Sequence, residues 1–413
     1  VSVSRHAFIV VITNAVKILC GLVMLKVAAI YLSVEDFGRF GQFMALAAIV
    51  NMLAGGGVGN GVVKLLAEQK DLIARHHITS SAGAFWLFSC VSIVFVLWLT
   101  NTWHQSYLGD AGYIIIFLAL AQIFWGQANF LNSYMVSRQD TQSIIVCGLR
   151  ANVVGLILFL AIFCYYQSLY SAIIGFLLFS SMPFLINAHR VLPNNKEVLF
   201  FYKPKILPSL IKSLSHYSLV LIVGAIAIPA TQIYLRDYVG EVLGWLYVGY
   251  WQAVLRVSDA HMQFFGVVNL SVLLPYLSRL NNEKILNLSN KKMVNVFIAI
   301  FGVSILSSLT LVLLKDWIIL ILFSSSFSAI APFVVLQTVG DFFKVLLSLV
   351  VVVCLAKGYW KIALCSELLQ AFILYLMTIF FLPYYEMKAL MLAYLCSSLF
   401  SLLVIGLLLW RQK

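Results

Sequence analysis

Charged side chains make up only 10% of this 413-residue chain, and acid is the rarer sign, with 15 Asp and Glu against 27 Lys and Arg. So few charges cannot clothe a soluble globule of this length. With 62% hydrophobic residues and a mean hydropathy of +1.00, the chain reads as a polytopic membrane protein. Proline is scarce as well, eight in all, and three of the eight fall in one segment, HRVLPNNKEVLFFYKPKILPSLIKS, from His189 to Ser213. The seven cysteines lie scattered in apolar runs with no CxxC, which excludes a zinc or disulfide framework and leaves them as small packing residues. No HExxH, GxSxG or paired-carboxylate pattern falls on an expected outer loop, so an enzyme is not expected. No cofactor is expected either. The run GGGVGNGVVK (Gly55 to Lys64) lacks the Walker spacing and lies inside an expected span, where close helix packing is its expected role. His76 and His77 fall in an expected inside loop and read as solvated.

Long apolar stretches fill most of the remainder. At roughly 20 residues per span the chain holds about twelve: 6–32, 40–66, 79–101, 111–136, 143–166, 169–188, 214–234, 245–278, 293–314, 330–356, 360–382 and 388–410. The first, which contains Lys17 and Lys26, is too long and too polar for a cleaved signal peptide. An even count puts both termini on one side. Arg39, Arg236, Lys315 and Lys388 are the basic residues expected outside, against eighteen expected inside, so the positive-inside rule predicts cytoplasmic termini. The net charge of +12 then reflects topology and is no sign of nucleic acid.

The segment from His189 to Ser213 divides the chain near its midpoint, giving an expected N-terminal six-helix bundle (1–190), a cytoplasmic linker (191–213) and a C-terminal six-helix bundle (214–413). A weak internal repeat agrees. Gln122, Gly126, Asn129 and Ser133 share their spacing with Gln337, Asp341, Lys344 and Ser348. Two related halves in parallel orientation predict a transporter built by duplication, with a substrate path between the halves.

Eight charges sit within expected spans: Lys17, Lys26, Arg150, Arg256 and Lys344, with Asp259, Asp341 and Glu367. Each costs about 2.5–3.5 kcal/mol at a helix centre, so lipid-facing positions are nearly excluded. Gln252, Arg256, Asp259, Gln263 and Gly266 step by four and three along one helix face, and Gln337, Asp341, Lys344 and Ser348 do the same. Such stripes face a bundle interior or a water-filled path. Two readings stay open for each charge pair: neutralisation on its own helix as interhelical glue, or a role in transport. Glu367 has Lys361 as a candidate partner, and Lys26, on the helix face opposite Lys17, can snorkel outward. The surplus of interior cation points to an anionic substrate, a diphosphate or uronic acid head group, with Asp259 and Asp341 as candidate proton or sodium sites.

Five stretches, VKILCGLVMLKVAAIYL (16–32), GGGVGNGVVKLLAE (55–68), WQAVLRVSDAHMQF (251–264), LLPYLSRL (273–280) and QTVGDFFKV (337–345), give the chain a resemblance to polysaccharide-repeat flippases of the Wzx type, in the multidrug/oligosaccharidyl-lipid/polysaccharide (MOP) exporter superfamily. The resemblance implies an all-α integral membrane fold of about twelve helices, in two six-helix bundles that form a V around a cationic cavity. The implied cargo is an undecaprenyl-diphosphate-linked oligosaccharide, a lipid III of enterobacterial common antigen or an O-antigen unit. It would pass from the cytoplasmic to the periplasmic leaflet of a bacterial inner membrane. Lys17, Lys26, Asp259, Asp341 and Lys344 fall on matching motif positions, and Arg150 lies outside them. Arg256 replaces a small polar residue of the pattern, which leaves the sugar open. The expected partners are the lipid-linked oligosaccharide, the bilayer, H+ or Na+, and a polysaccharide polymerase with its chain-length machinery. Asn60, Gln122, Asn129, Gln252, Gln263 and Gln337 are expected to line the cavity. Rival readings are an ion-coupled multidrug exporter and a membrane glycan polymerase. The latter needs a large external loop, and the longest outside segments have about ten residues.

Overall fold

A computed structural model describes residues 3–69, 71–100, 113–269, 273, 277 and 291–411. Among them are α1 (Val3–Tyr31), α2 (Val34–Leu53), α3 (Gly59–Glu68), α4 (Leu72–Leu99), α5 (Tyr113–Ser137), α6 (Thr141–Tyr166) and α7 (Leu169–Val191). There follow α8 (Pro208–Val242), α9 (Trp245–Val268), α10 (Lys291–Leu313), α11 (Lys315–Leu322), α12 (Ala331–Ala356), α13 (Trp360–Tyr385) and α14 (Met387–Trp410). No strand occurs among the described residues. Every expected span falls on this all-α frame, although most of 269–278 and of the motif at 273–280 lies outside the described residues. So do the inside cations Lys70, Arg279, Lys284 and Lys413, and the side chains of Arg5, Lys212, Lys291 and Lys292.

Seven helices among the described residues are long and apolar enough to cross a membrane: α4 to α7, α12 with the short turn before it, α13 and α14. The chain is a multi-pass membrane protein. One expected span is not the continuous helix that hydropathy predicts, and another is followed by a short further helix. Lys315, expected in an outside loop, starts α11, and α10 and α11 together pass the same test while bent by 72° at Leu314. The second span breaks where Gly55, Gly56 and Gly57 take φ of 84°, 70° and 64°, a region that side chains disfavour. The glycine run therefore ends a helix as well as packing closely against Gly126. Backbone groups freed by the break must find partners inside the protein. Asn129 Nδ2 donates to the Asn51 carbonyl at 3.1 Å and to that of Ala54 at 3.4 Å, while the Gly55 N–H donates to Ser89 Oγ at 3.1 Å.

The chain divides into two compact units, Val1–Leu32 with Arg39–Pro229, and Ser33–Gly38 with Ala230–Lys413. In the first, Asp71 and Asp140 cap α4 and α6, and Ser168 with Ser171 closes a capping box on α7. Past α7 the segment Lys196–Tyr202 coils as a 3-10 turn and docks on α4 and α5. Val198 and Phe201 are buried, Phe201 stacks on Phe130 at 4.1 Å, and Phe200 stacks on His76 at 3.9 Å. His76 is thus packed rather than merely solvated. Only glycine fits at position 83, where a Cβ would lie 1.9 Å from the Phe201 carbonyl oxygen.

A polar clasp completes this docking. Arg75 grips Glu197 with two bonds, Nε to Oε2 at 2.9 Å and Nη2 to Oε1 at 3.0 Å, and the Tyr134 hydroxyl donates to the same carboxylate. Arg138 Nη1 donates to the Tyr134 oxygen at 2.8 Å and to Asn195 Oδ1 at 2.7 Å. Burial by itself would raise the Glu197 carboxyl, but the bonds from Arg75 and Tyr134, with the charges of Arg75 and Arg138, hold it below the usual carboxylate value.

Because that folded value is depressed, the stability Glu197 contributes is present above its unfolded value of about 4.3 and is lost as pH falls through the folded one. In thermal unfolding of the detergent-solubilised protein, Glu197→Gln is expected to melt below wild type at pH 7, with the gap closing under acid. A gap of constant size from neutral to acid pH would contradict the clasp. Gly83→Val is expected to lower the melting temperature more than Gly83→Ala, both through overpacking costs on the order of 1–3 kcal/mol or above, and unchanged melting in both would refute the close approach.

Candidate functional site

In the second unit, α12 presents Gln337, Asp341, Lys344 and Ser348 along one side. Asp341 is 1% exposed and anchors a network linking three helices. It accepts from the Ser258 hydroxyl of α9, which in turn accepts from Gln337 Nε2 at 3.2 Å. Its second oxygen lies 3.5 Å from His261 Nδ1, while His261 Nε2 is 3.0 Å from Ser307 Oγ on α10. The Tyr394 ring of α14 packs over Gly340, where a Cβ would lie 2.5 Å from it. Near the other end of the stripe Asn269 Nδ2 donates to Ser348 at 2.8 Å.

These contacts alter the expected pairing. Asp341 faces His261 and accepts from the Ser258 hydroxyl of another helix, while Lys344 turns to α13 and donates to Gln370 Oε1, whose amide donates to Ser398 at 3.3 Å. Glu367 lies near enough to act on Lys344 electrostatically, and Lys361, its expected partner, stacks on Trp360 instead at 5.6 Å. His261 was missed because the polar stripe on α9 was read through Gln252, Arg256, Asp259 and Gln263. The signal was the Ser258–His261 spacing of three, which puts both on the buried side of that helix.

Arg236 is a second correction. Expected outside, it lies within α8 and is 3% exposed, because that helix continues to Val242. Its Nη2 donates to Gln252 Oε1 at 2.9 Å and its guanidinium lies 5.5 Å from the Trp251 ring centre, while Nε and Nη1 have no hydrogen-bond partner among the described residues. Arg256 and Asp259 pair at 3.2 Å on the open flank of α9, where Asp259 and Gln263 are exposed. The stripe thus runs from a buried end at Gln252 to an accessible one.

The first unit holds a different chemistry. Two adjoining cavities, of about 350 Å³ and about 370 Å³, share Asn129 and Asn132 in their walls. Asn60 lines the smaller and Lys17 the larger, and among the described residues Lys17 is the one ionic side chain lining either. Lys26 is half-buried on α1, Arg150 is exposed on α6, and neither lines these two cavities. Gln122 is wholly buried and donates to the Cys90 carbonyl at 3.0 Å, away from both.

Truncating Asp341 leaves the Ser258 hydroxyl without its acceptor and opens space beside His261 in the protein interior, at a cost of about 1–3 kcal/mol for the unsatisfied group. Asp341→Leu is therefore expected to melt well below wild type, and Asp341→Asn, which keeps an acceptor for Ser258, to fall between them. Equal melting of all three proteins would show that the network does not hold the unit together.

Comparison with known proteins fits this architecture. The chain is 27% identical over 412 residues, 97% of each sequence, to proteins named lipid III flippase from Escherichia coli (strain K12) and Shigella flexneri. Among solved structures, an inward-facing multidrug resistance MATE family transporter of the MOP superfamily superposes with a TM-score of 0.81 at 13% identity, covering 96% of this chain and 94% of that one. The lipid II flippase MurJ, in an inward closed conformation, gives 0.71 at 15% identity over 98% and 87%. The fold is that of MOP-superfamily transporters. A family model described as polysaccharide biosynthesis protein matches residues 27–332, about three quarters of the sequence, and the chain belongs to that family.

Proposed function

We propose that this protein is a flippase that moves an undecaprenyl-diphosphate-linked oligosaccharide from the cytoplasmic to the periplasmic leaflet of a bacterial inner membrane by alternating access. It acts as a transporter, not a catalyst, and both termini are cytoplasmic. The observation that carries this reading is the end-to-end correspondence with the lipid III flippases, 97% of both chains.

The anionic head group is held by interior cations, with Lys17, Lys26, Arg150, Arg256 and Lys344 as the binding set. Arg236 adds to their surplus over Asp259, Asp341 and Glu367. Lys344 supports this role because its hydrogen-bond partner is the neutral Gln370 and not a carboxylate. Asp259, exposed beside Arg256, and Asp341, facing His261, are the candidate sites for a coupling proton or sodium ion. Bias between inward and outward states comes from differential binding of cargo or ion to the two. A polysaccharide polymerase and chain-length machinery would receive the product.

A second reading, drug export, is favoured by the TM-score of 0.81 to a multidrug transporter. A cationic drug suits a surplus of lysine and arginine poorly, because like charge in a low-dielectric interior is strongly repulsive.

Leaflet transfer of a radiolabelled undecaprenyl-diphosphate oligosaccharide in proteoliposomes tests the reading. Wild type is expected to transfer it, faster under an imposed proton or sodium gradient, and Lys344→Ala and Lys17→Ala to lose at least tenfold in rate while remaining folded. Wild-type rates in both variants would remove the anion-site assignment. Absence of transfer by wild type, together with thermal stabilisation by amphipathic cations, would establish the drug exporter.

A further inference from the structure

The two cavities of the first unit are lined by a side-chain class that the anion-binding reading leaves unused. Asn51, Asn152 and Asn187 join Asn129 and Asn132 around the larger one, with Trp125 in its wall. Each carboxamide both donates and accepts, as a sugar hydroxyl or acetamido group does. Much of that capacity is unspent. Asn132 makes no hydrogen bond among the described residues, and Asn187, 6% exposed, makes none either. Trp125 is 1% exposed and its Nε1–H has no partner, although a buried indole N–H normally finds one. A buried donor without an acceptor costs about 1–3 kcal/mol, which a ligand oxygen would recover.

Charge narrows the ligand further. Among the described residues that line both cavities there is no carboxylate to hold a cation and no arginine, and Lys17 is the one charge. Cavities of about 350 Å³ and 370 Å³ fall at the small end of the range of roughly 300–1,000 Å³ for small-molecule sites. A wall of neutral amides beside an aromatic ring suits a compact, uncharged, hydroxyl-rich molecule.

We infer that the adjoining cavities of the first unit are the glycan subsite, in which Asn132, Asn187 and Trp125 bind a neutral, hydroxyl- and acetamido-bearing sugar of the cargo. The inference rests on the flippase reading, since a sugar reaches this site as part of a lipid-linked substrate. These residues would set specificity, because a pocket built to hydrogen-bond hydroxyl groups strongly rejects ligands that lack them. Asn129 serves differently: its amide is spent on the α2 carbonyls, so it fixes the wall.

Native mass spectrometry of the full-length protein with two probes, undecaprenyl diphosphate and undecaprenyl-diphosphoryl-N-acetylglucosamine, tests the assignment. Wild type is expected to prefer the sugar-bearing lipid. Asn132→Leu, at an exposed position that bonds to nothing else, and Trp125→Phe, which keeps a ring and deletes the N–H, are expected to reduce that preference about tenfold or more. Binding of undecaprenyl diphosphate should not change. Unaltered preference in both variants, or equal loss of both lipids, would overturn the subsite. If wild type still transfers the lipid-linked oligosaccharide in the first of these cases, the flippase reading survives alone. A wild type that binds neither lipid and transfers nothing removes both.

Discussion

A polar group inside an apolar span has no water to turn to, and the arrangement of both units depends on that constraint. Asp341 satisfies it by drawing a donor from another helix, Ser258 of α9, with His261 of the same helix beside it and tied to Ser307 of α10. Apolar packing between such helices is weakly directional, because a lipid tail is as good a neighbour as a leucine. The hydrogen-bonded network supplies the register. Asn129 does the same work in the first unit by catching the carbonyls that the Gly55–Gly57 break releases.

Not every buried polar group is fully partnered, and the exceptions are informative. Arg236 keeps two nitrogens without an acceptor, Trp125 keeps its N–H, and Lys344 is bonded to an uncharged amide. Closed networks hold the helices together, whereas these open ones retain capacity for a ligand. They divide by chemistry as well. In the second unit they are the cationic Arg236 and Lys344, and in the first chiefly amides around Lys17. A lipid diphosphate bearing sugars needs both kinds of partner.

The segment after α7 illustrates how a connection can be made structural. Its prolines and charges look like those of a solvated linker, yet Val198 and Phe201 are buried and Glu197 is held by Arg75 and Tyr134. A hydrophobic staple and a charge-assisted clasp at its start tie it to α4 and α5, and the glycine at 83 allows the backbones to meet.

Sequence alone determined the all-α membrane class and the presence of polar stripes, because hydropathy and a period of 3.6 are local properties of the chain. The relation to polysaccharide flippases was legible in the same way, through short motifs in order. Tertiary structure decided the partners. Asp341 meets Ser258, 83 residues earlier, rather than Lys344 one turn away, and Arg236 is buried because α8 runs on beyond its apolar stretch. The glycine run breaks a helix whose hydropathy is continuous, since φ does not register in hydropathy. Which helix faces which is settled by packing between segments far apart in the chain, and a pattern read along one helix names a stripe without naming what it touches.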